Sequence, residues 1–374
     1  MTPLKIVMVS AGFWPTIGGA ERQALELSAA LAARGHGVTV LTRRVGKLPA
    51  RETVRGVTVR RLPSPGGVLD APVFLVGAFV WLMLHWVEWD AVHAHLAGSP
   101  AIAAALAGRM LGRPALVKLG GGRGIGELAV SSKTALGRAK LRVLGLLRPK
   151  FLAVVPDLAD EAGGFLGAVS IEVLPNGVDA KRFSPVELAA KRALRFELGW
   201  DADATVFLYT GRLSWEKRLP WFLRLWRAAV GPKALAVLVG DGPERAAVEA
   251  EAALDPGRVK ILPPREDVSS LCAAADVFVL PSVSEGLSNS LLEAMASGLA
   301  PLGSRVGGTA ETVDDGRTGL LFDRDDEAGL QAAVRRLDAE SGLAARLGAA
   351  ARAEVEKRYA LDRVIERLET LYRG

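Results

Sequence analysis

The feature that most constrains this chain is a succession of elements that runs through it twice. Near the start, Ile6, Val7, Met8 and Val9 form a short apolar run, followed by a loop carrying Gly12, Gly18 and Gly19. Ala24, Leu27, Ser28 and Leu31 then recur at helical spacing until Gly35, and Val38, Thr39, Val40 and Leu41 open a second run. A short, wholly apolar strand is buried on both faces. Strand, helix and strand in so little sequence therefore demand a parallel sheet with the helix crossing over it. The succession restarts at Ala204, with a strand at 205–210, a polar loop at 211–218, a helix at 219–230 and a strand at 234–239. Further strand–helix steps follow through 259–262 and 277–280, and a helix runs over about 289–297. Two such series in 374 residues predict an α/β fold of two Rossmann-like, doubly wound domains facing across a cleft. Ligands are expected at the carboxyl ends of the strands. The turn-forming residues Pro175, Asn176, Gly177, Val178 and Asp179 place the boundary, with a first domain over 1–178 and a second beginning at 179.

Composition narrows the partners. The lone cysteine, Cys272, permits no internal disulfide and sits in a small apolar run, so it reads as core filler in a reducing compartment. The first strand begins at once, with no secretory signal pattern before it, and the expectation is a cytoplasmic protein. The formal charge of +6 is uneven: residues 1–178 carry a net +9 and residues 179–374 a net −3. A basic first half suits an anionic partner. No nucleic-acid module is visible, so nucleic acid is not expected, and an anionic membrane surface is preferred. Two segments bear on that surface. Residues 71–87 are nearly all apolar and 17 long, and are expected as a helix buried on the sheet, or lying on a membrane, rather than spanning one. Residues 133–150 carry Lys133, Arg138, Lys140, Arg142, Arg148 and Lys150 with Leu136, Leu141, Val143, Leu144, Leu146 and Leu147 between them, and no acid occurs between Glu127 and Asp157. That pattern predicts a basic amphipathic helix fit for peripheral contact with an anionic bilayer, or else a solvated helix with its apolar face on the core.

Two motifs carry the chemistry. PSVSEGLSNSLLEA at 281–294 follows a strand with a short polar loop and a helix. It places Glu285 in the loop and Glu293 in the helix's second turn, with Gly286, Leu287, Ser288 and Asn289 between. Backbone N–H groups of Ser288, Asn289 and Ser290 at a helix start are candidate donors to a diphosphate, and a carboxylate can accept from the vicinal hydroxyls of a sugar. GRLSWEKR at 211–218 follows the first strand of the second domain and supplies Arg212 and Lys217, cations able to neutralise a leaving diphosphate. The alternatives are a helix-supporting Glu293, a solvated Glu285 and a solvated basic loop.

Taken together, these motifs resemble the retaining glycosyltransferases of family 4, which have the two-domain GT-B fold. The resemblance spans essentially the whole chain. It includes Gly18, Gly19, Ala20 and Glu21, the run DAVHAH at 90–95, the turn at 175–179, VGDGP at 239–243, ADVF at 275–278 and VGGTAE at 306–311. It implies that Arg212 and Lys217 hold the diphosphate, Glu285 contacts the transferred sugar, Glu293 binds the ribose hydroxyls and Gly19 approaches a phosphate through its backbone. It puts His95 near the sugar and the acceptor. His93 and His95 are expected on opposite faces of their strand, with His95 toward the cleft and His93 a hydrogen-bonded core residue. The implied partners are a nucleotide diphosphate sugar, with a uridine donor first and a guanosine donor second, and a glycolipid, lipid-linked or polysaccharide-precursor acceptor. No cofactor is implied. Two histidines without a third ligand make a poor metal site, so no metal is expected either. The second domain is expected over 179–355, with a helix at 356–374 crossing back to the first. The chain departs from the family at 120–126, where five glycines surround Arg123, a residue able to reach an anionic group on donor or acceptor. Pro264 also replaces a more usual glycine. The rival readings are a sugar-nucleotide 2-epimerase on a similar two-domain fold, which would convert the donor without an acceptor, and a non-catalytic nucleotide-sugar-binding partner, against which the intact set Arg212, Lys217, Glu285 and Glu293 argues.

Overall fold

A computed structural model describes residues 2–15 and 18–374. The chain divides into two compact units, one formed by Met1–Gly177 with Leu361–Gly374 and the other by Val178–Ala360.

The first unit holds an eight-stranded sheet. Its strands are β1 (Lys5–Val9), β2 (Gly37–Arg43), β3 (Arg51–Val54), β4 (Val57–Leu62), β5 (Ala91–His95), β6 (Ala115–Lys118), β7 (Lys150–Ala153) and β8 (Ile171–Val173). They lie in the order β3-β4-β2-β1-β5-β6-β7-β8, and all pairs are parallel except β3 with β4. The helices of this unit are α1 (Gly19–Ala33), α2 (Asp70–Leu84), α3 (Ser99–Leu111), α4 (Glu127–Ser132), α5 (Ala135–Leu147) and α6 (Pro156–Leu166), joined by the C-terminal helix Leu361–Arg373. That last helix has one apolar face, with Val364, Ile365, Leu368, Leu371 and Tyr372 packed into a core with Ile6, Met8, Ala24, Leu27, Ala91 and Leu116. Its polar face is tied down as well, since Glu369 accepts from His36 at 2.9 Å and Arg34 at 3.2 Å, and Arg367 reaches Glu172 at 2.6 Å. The helix that belongs to this unit begins at Leu361; residues 356–360, expected with it, lie in the second unit, where they end the preceding helix Leu343–Arg358 and the turn after it.

The apolar stretch at 71–87 forms α2, followed by a turn. It is less buried than expected. Phe74, Ala78, Trp81 and Leu82 face inward, while Val73, Val76, Val80 and Leu84 stay exposed, as do Trp86 and Val87 beyond the helix. Uniform apolarity hides which side of a helix meets the fold, and here only one side does. The basic segment forms α5, with Leu141 and Leu144 buried and Leu136, Val143 and Leu146 exposed.

The second unit holds a six-stranded, all-parallel sheet. Its strands are β9 (Val206–Thr210), β10 (Leu235–Val239), β11 (Val259–Leu262), β12 (Val277–Leu280), β13 (Ala300–Ser304) and β14 (Leu320–Phe322), in the order β11-β10-β9-β12-β13-β14. The order reverses between β9 and β12, so the loops leaving those two strands flank the crevice where doubly wound sheets bind ligands.

Candidate active site

The two motifs found in the second half leave exactly these neighbouring strands. Val277 pairs with Phe207 and Phe278 with Leu208, so the loops at 211–218 and 281–288 emerge side by side. The backbone joins them, with Val283 N donating to Glu216 O at 2.8 Å. Lys217 Nζ contacts Glu285 Oε1, and Ser282 Oγ donates to the same carboxylate oxygen at 2.6 Å. Glu285 is only 8% exposed, so its charge is held by an ammonium and a hydroxyl in a largely dry setting. Lys217 is thus engaged with Glu285 rather than standing beside Arg212 as a second open cation. The Arg212 side chain is exposed and makes no hydrogen bond or ion pair among the described residues, while its carbonyl accepts from Tyr209 Oη at 2.8 Å.

Behind the carboxylate, the helix Asn289–Ala296 begins at Ser288, whose Oγ accepts from Leu291 N at 3.3 Å. Glu293 lies in its second turn, 6% exposed, and Leu287 is buried beside the turn. The Glu285–Gly286 backbone is held from the loop after β13. Gly308 N donates to Glu285 O at 3.1 Å. A Cβ on Gly307 would lie 2.2 Å from Glu285 O, and one on Gly308 would lie 1.9 Å from Gly286 O. Only glycine lets the two loops approach this closely. The VGGTAE motif had no role in the sequence reading beyond family resemblance; its glycines shape the seat of Glu285. Ser282 and Tyr209 were also missed; a hydroxyl residue in the last positions of a buried apolar strand, or just beyond it, is the signal that could have singled them out.

In the first unit, the loops leaving β1 and β5 occupy the matching reversal of strand order. Gly18 caps α1 and Gly19 is its first residue; a Cβ on Gly18 would lie 2.2 Å from Glu21 Oε2, so the Glu21 side chain folds over this turn. His93 and His95 do not face opposite ways. Residues two apart on a strand share a face, and the rings stack 4.7 Å apart at an interplanar angle of 13°. His93 Nδ1 is 2.7 Å from Tyr372 Oη of the C-terminal helix, the hydrogen-bonded core role expected of it. Burial and the neighbouring ring of His95 hold His93 well below its usual pKa. Burial, with Lys118 nearby, pushes His95 down to about 3, so both imidazoles are neutral. Arg123 donates to Asp157 Oδ1 at 2.6 Å, and Gly124 N to Glu161 Oε1 at 2.9 Å, so the glycine loop is fastened to α6 and an anion would have to compete with Asp157 for Arg123.

Fold and motifs together define a glycosyltransferase of the GT-B architecture. Residues 17–182 match the family described as Glycosyltransferase Family 4, and residues 204–339 match the one described as Glycosyl transferases group 1. The chain is 31% identical to the 2-deoxystreptamine N-acetyl-D-glucosaminyltransferase of Streptomyces fradiae, across 95% of this chain and 92% of that one. It is 26% identical to the N-acetyl-alpha-D-glucosaminyl L-malate synthase of Bacillus anthracis, across 96% and 94%. The protein belongs to glycosyltransferase family 4. Among solved structures, Anabaena HepE in complex with UDP superposes with a TM-score of 0.80 at 20% identity, covering 99% of this chain and 100% of that one. Sucrose-phosphate synthase from Thermosynechococcus elongatus superposes with a TM-score of 0.78 at 22% identity, covering 99% and 98%. These two likenesses concern the fold.

Proposed function

We propose that the chain transfers a glycosyl group, with retention at the anomeric carbon and without a metal ion, from a nucleotide diphosphate sugar to a glycolipid, lipid-linked or polysaccharide-precursor acceptor. A uridine diphosphate sugar is the first choice of donor and a guanosine diphosphate sugar the second. The observation that carries this is the meeting of Lys217 and Glu285 at the reversal point of the second sheet, with Arg212 on the same loop. A diphosphate entering there draws Lys217 and Arg212 to its oxygens. Glu285, released from Lys217 but still held by Ser282, then accepts from hydroxyls of the sugar. As the glycosidic bond to phosphate breaks, negative charge grows on the leaving oxygen. Preorganised cations stabilise that charge more than they stabilise the bound donor. Glu285 begins gripped by two donors, which suits hydroxyl binding better than covalent attack. The acceptor oxygen therefore attacks from the side the diphosphate leaves, and a phosphate oxygen takes its proton. His95, neutral and buried, is the first unit's contribution toward sugar and acceptor.

The exposed apolar residues of α2 and the basic α5 support a peripheral place at the cytoplasmic face of a membrane, where a lipid-borne acceptor would be found. The decisive experiment is turnover of a panel of nucleotide sugars by the wild type and Lys217→Ala, with the anomeric configuration of the product read by NMR. Loss of turnover in a folded variant and a retained configuration support the proposal; an inverted product, or normal turnover without Lys217, overturns it.

A further inference from the structure

Lys118 ends β6 and is the register partner of His95 on β5, so the two side chains lie on one face of the sheet. It is 6% exposed, yet it makes no hydrogen bond or ion pair among the described residues. His95 Nε2 is likewise buried with no hydrogen-bond partner. The nearest acid in sequence, Glu127 at the start of α4, supplies no counter-charge: burial pushes its carboxyl up to about 8, and its oxygens are held by backbone, Oε2 accepting from Ala97 N at 2.7 Å and Oε1 from Gly120 N at 3.1 Å. Those two amides lie just beyond His95 and Lys118, so Glu127 ties together the loops that leave β5 and β6. The other titratable groups on this face, His93 and His95 of β5 and Tyr372 of the C-terminal helix, carry no negative charge: burial lowers both histidines and raises the tyrosine. A buried ammonium without a counter-charge is costly to a fold. Its place, at the carboxyl end of the sheet where ligands bind, is where a ligand could supply what the fold withholds.

We propose that Lys118, beside His95, is an anion-recognition group of the first unit that binds a phosphate or carboxylate oxygen of the acceptor. An ammonium matches such an oxygen as a point charge with three donors. His95, being neutral, adds a hydrogen bond without a second positive charge. Burial already pushes Lys118 down to about 7, so a bound anion draws a proton onto it from solution near neutral pH. Assigning the anion to the acceptor rests on the proposed transfer reaction; the anion site itself does not.

The test is calorimetric titration of the full chain with inorganic phosphate at pH 7.5, alone and with saturating UDP, in buffers of different ionisation enthalpy. Wild type, Lys118→Met and Lys118→Arg are compared. Phosphate is expected to bind the UDP-saturated wild type with uptake of a proton. Lys118→Met should weaken binding at least tenfold and abolish the uptake, and Lys118→Arg should restore binding without uptake, because its charge is permanent. Unchanged phosphate binding in Lys118→Met overturns the proposal. So does complete displacement of phosphate by UDP, which would assign the anion to the diphosphate cations Arg212 and Lys217. A chain that binds phosphate but no UDP would instead refute the proposed donor while leaving the anion site standing.

Discussion

In the second unit the half-buried cation has its acid: Lys217 meets Glu285, Ser282 adds a hydroxyl, and glycines of the next loop hold the backbone beneath. In the first unit, built on the same plan of parallel strands, the buried cation has none. Lys118 stands beside two neutral histidines, and Glu127 is taken by two backbone amides. The difference separates two ways of preparing a polar site. A paired site keeps both groups charged and oriented, at the cost of exchanging one partner for another when ligand arrives. An unpaired site lets burial shift the protonation of its groups, and leaves its charge to be completed from outside. The first suits a diphosphate that is the same in every turnover. The second suits recognition of one particular acceptor.

The sharpest break of this contrast is Lys217→Ala. If the paired site stabilises the departing diphosphate, turnover falls roughly a hundredfold or more, since loss of one such donor costs about 2.7–4 kcal/mol in the transition state. The fold should persist with a lower thermal midpoint, because Lys217 lies in a loop outside the core but its loss leaves the buried Glu285 with Ser282 alone. Steady-state kinetics on the preferred nucleotide sugar, with circular dichroism alongside, decide it. Turnover within a fewfold of the wild type removes the paired site from catalysis.

Lys118→Met tests the other side through stability. The folded chain holds Lys118 near 7 because burial strips the ammonium of water, whereas the unfolded chain titrates at about 10.4. Between those values the unfolded state binds the extra proton, so the wild type gains stability as pH rises from about 7 toward 10. Below that window the buried charge destabilises the fold. Methionine fills similar space without charge, so the variant should be more stable than the wild type at pH 6, by roughly 2–3 kcal/mol after relaxation around the site. The gap should close as pH nears 10. Denaturant melts at pH 6, 8 and 10 measure it, and a pH-independent difference would show that Lys118 carries no buried charge.

These two sites were not equally legible. Arg212, Lys217, Glu285 and Glu293 could be read because each sits in a polar loop or first turns after an apolar strand, and topology brings such loops together without any long-range knowledge. Lys118 and Glu127 were passed over because their meaning lies in what surrounds them. Glu127 answers to Ala97, 30 positions earlier, and the isolation of Lys118 is a property of burial that no local pattern announces. The facing of His93 and His95 was misread although the rule was at hand, since a two-residue period sets both rings on one side. For α2, apolarity on every side marked a helix but concealed the exposed row of Val73, Val76, Val80 and Leu84.

A smaller effect tests how the first unit supports its histidines. Tyr372 Oη is the partner of His93 Nδ1, and His93 Nε2 is buried with no partner of its own. Tyr372→Phe keeps the ring and its packing but leaves the imidazole without that bond. The expected loss is about 1–2 kcal/mol of stability, the usual cost of an orphaned buried polar group. Chemical denaturation reads it directly. A neutral result would mean that the stacked pair is held by packing alone.

The smallest expected effect concerns the outer face of the first unit. Arg142 is exposed on α5, next to Val143 and one turn before Leu146, the latter 76% exposed. Apolar residues that fail to reach the core, flanked by bases with no acid among them, form a surface that an anionic bilayer satisfies on both counts. One basic residue near such a bilayer contributes about 1 kcal/mol, so Arg142→Gln should weaken binding to phosphatidylserine-containing vesicles about fivefold at physiological salt. The same substitution should change nothing on purely zwitterionic vesicles, where the electrostatic contribution is absent. Sedimentation with the two vesicle types separates charge from apolar insertion. If the wild type ignores anionic vesicles altogether, α5 is only a solvated helix, and the unpaired charges of the first unit face small ligands rather than a membrane.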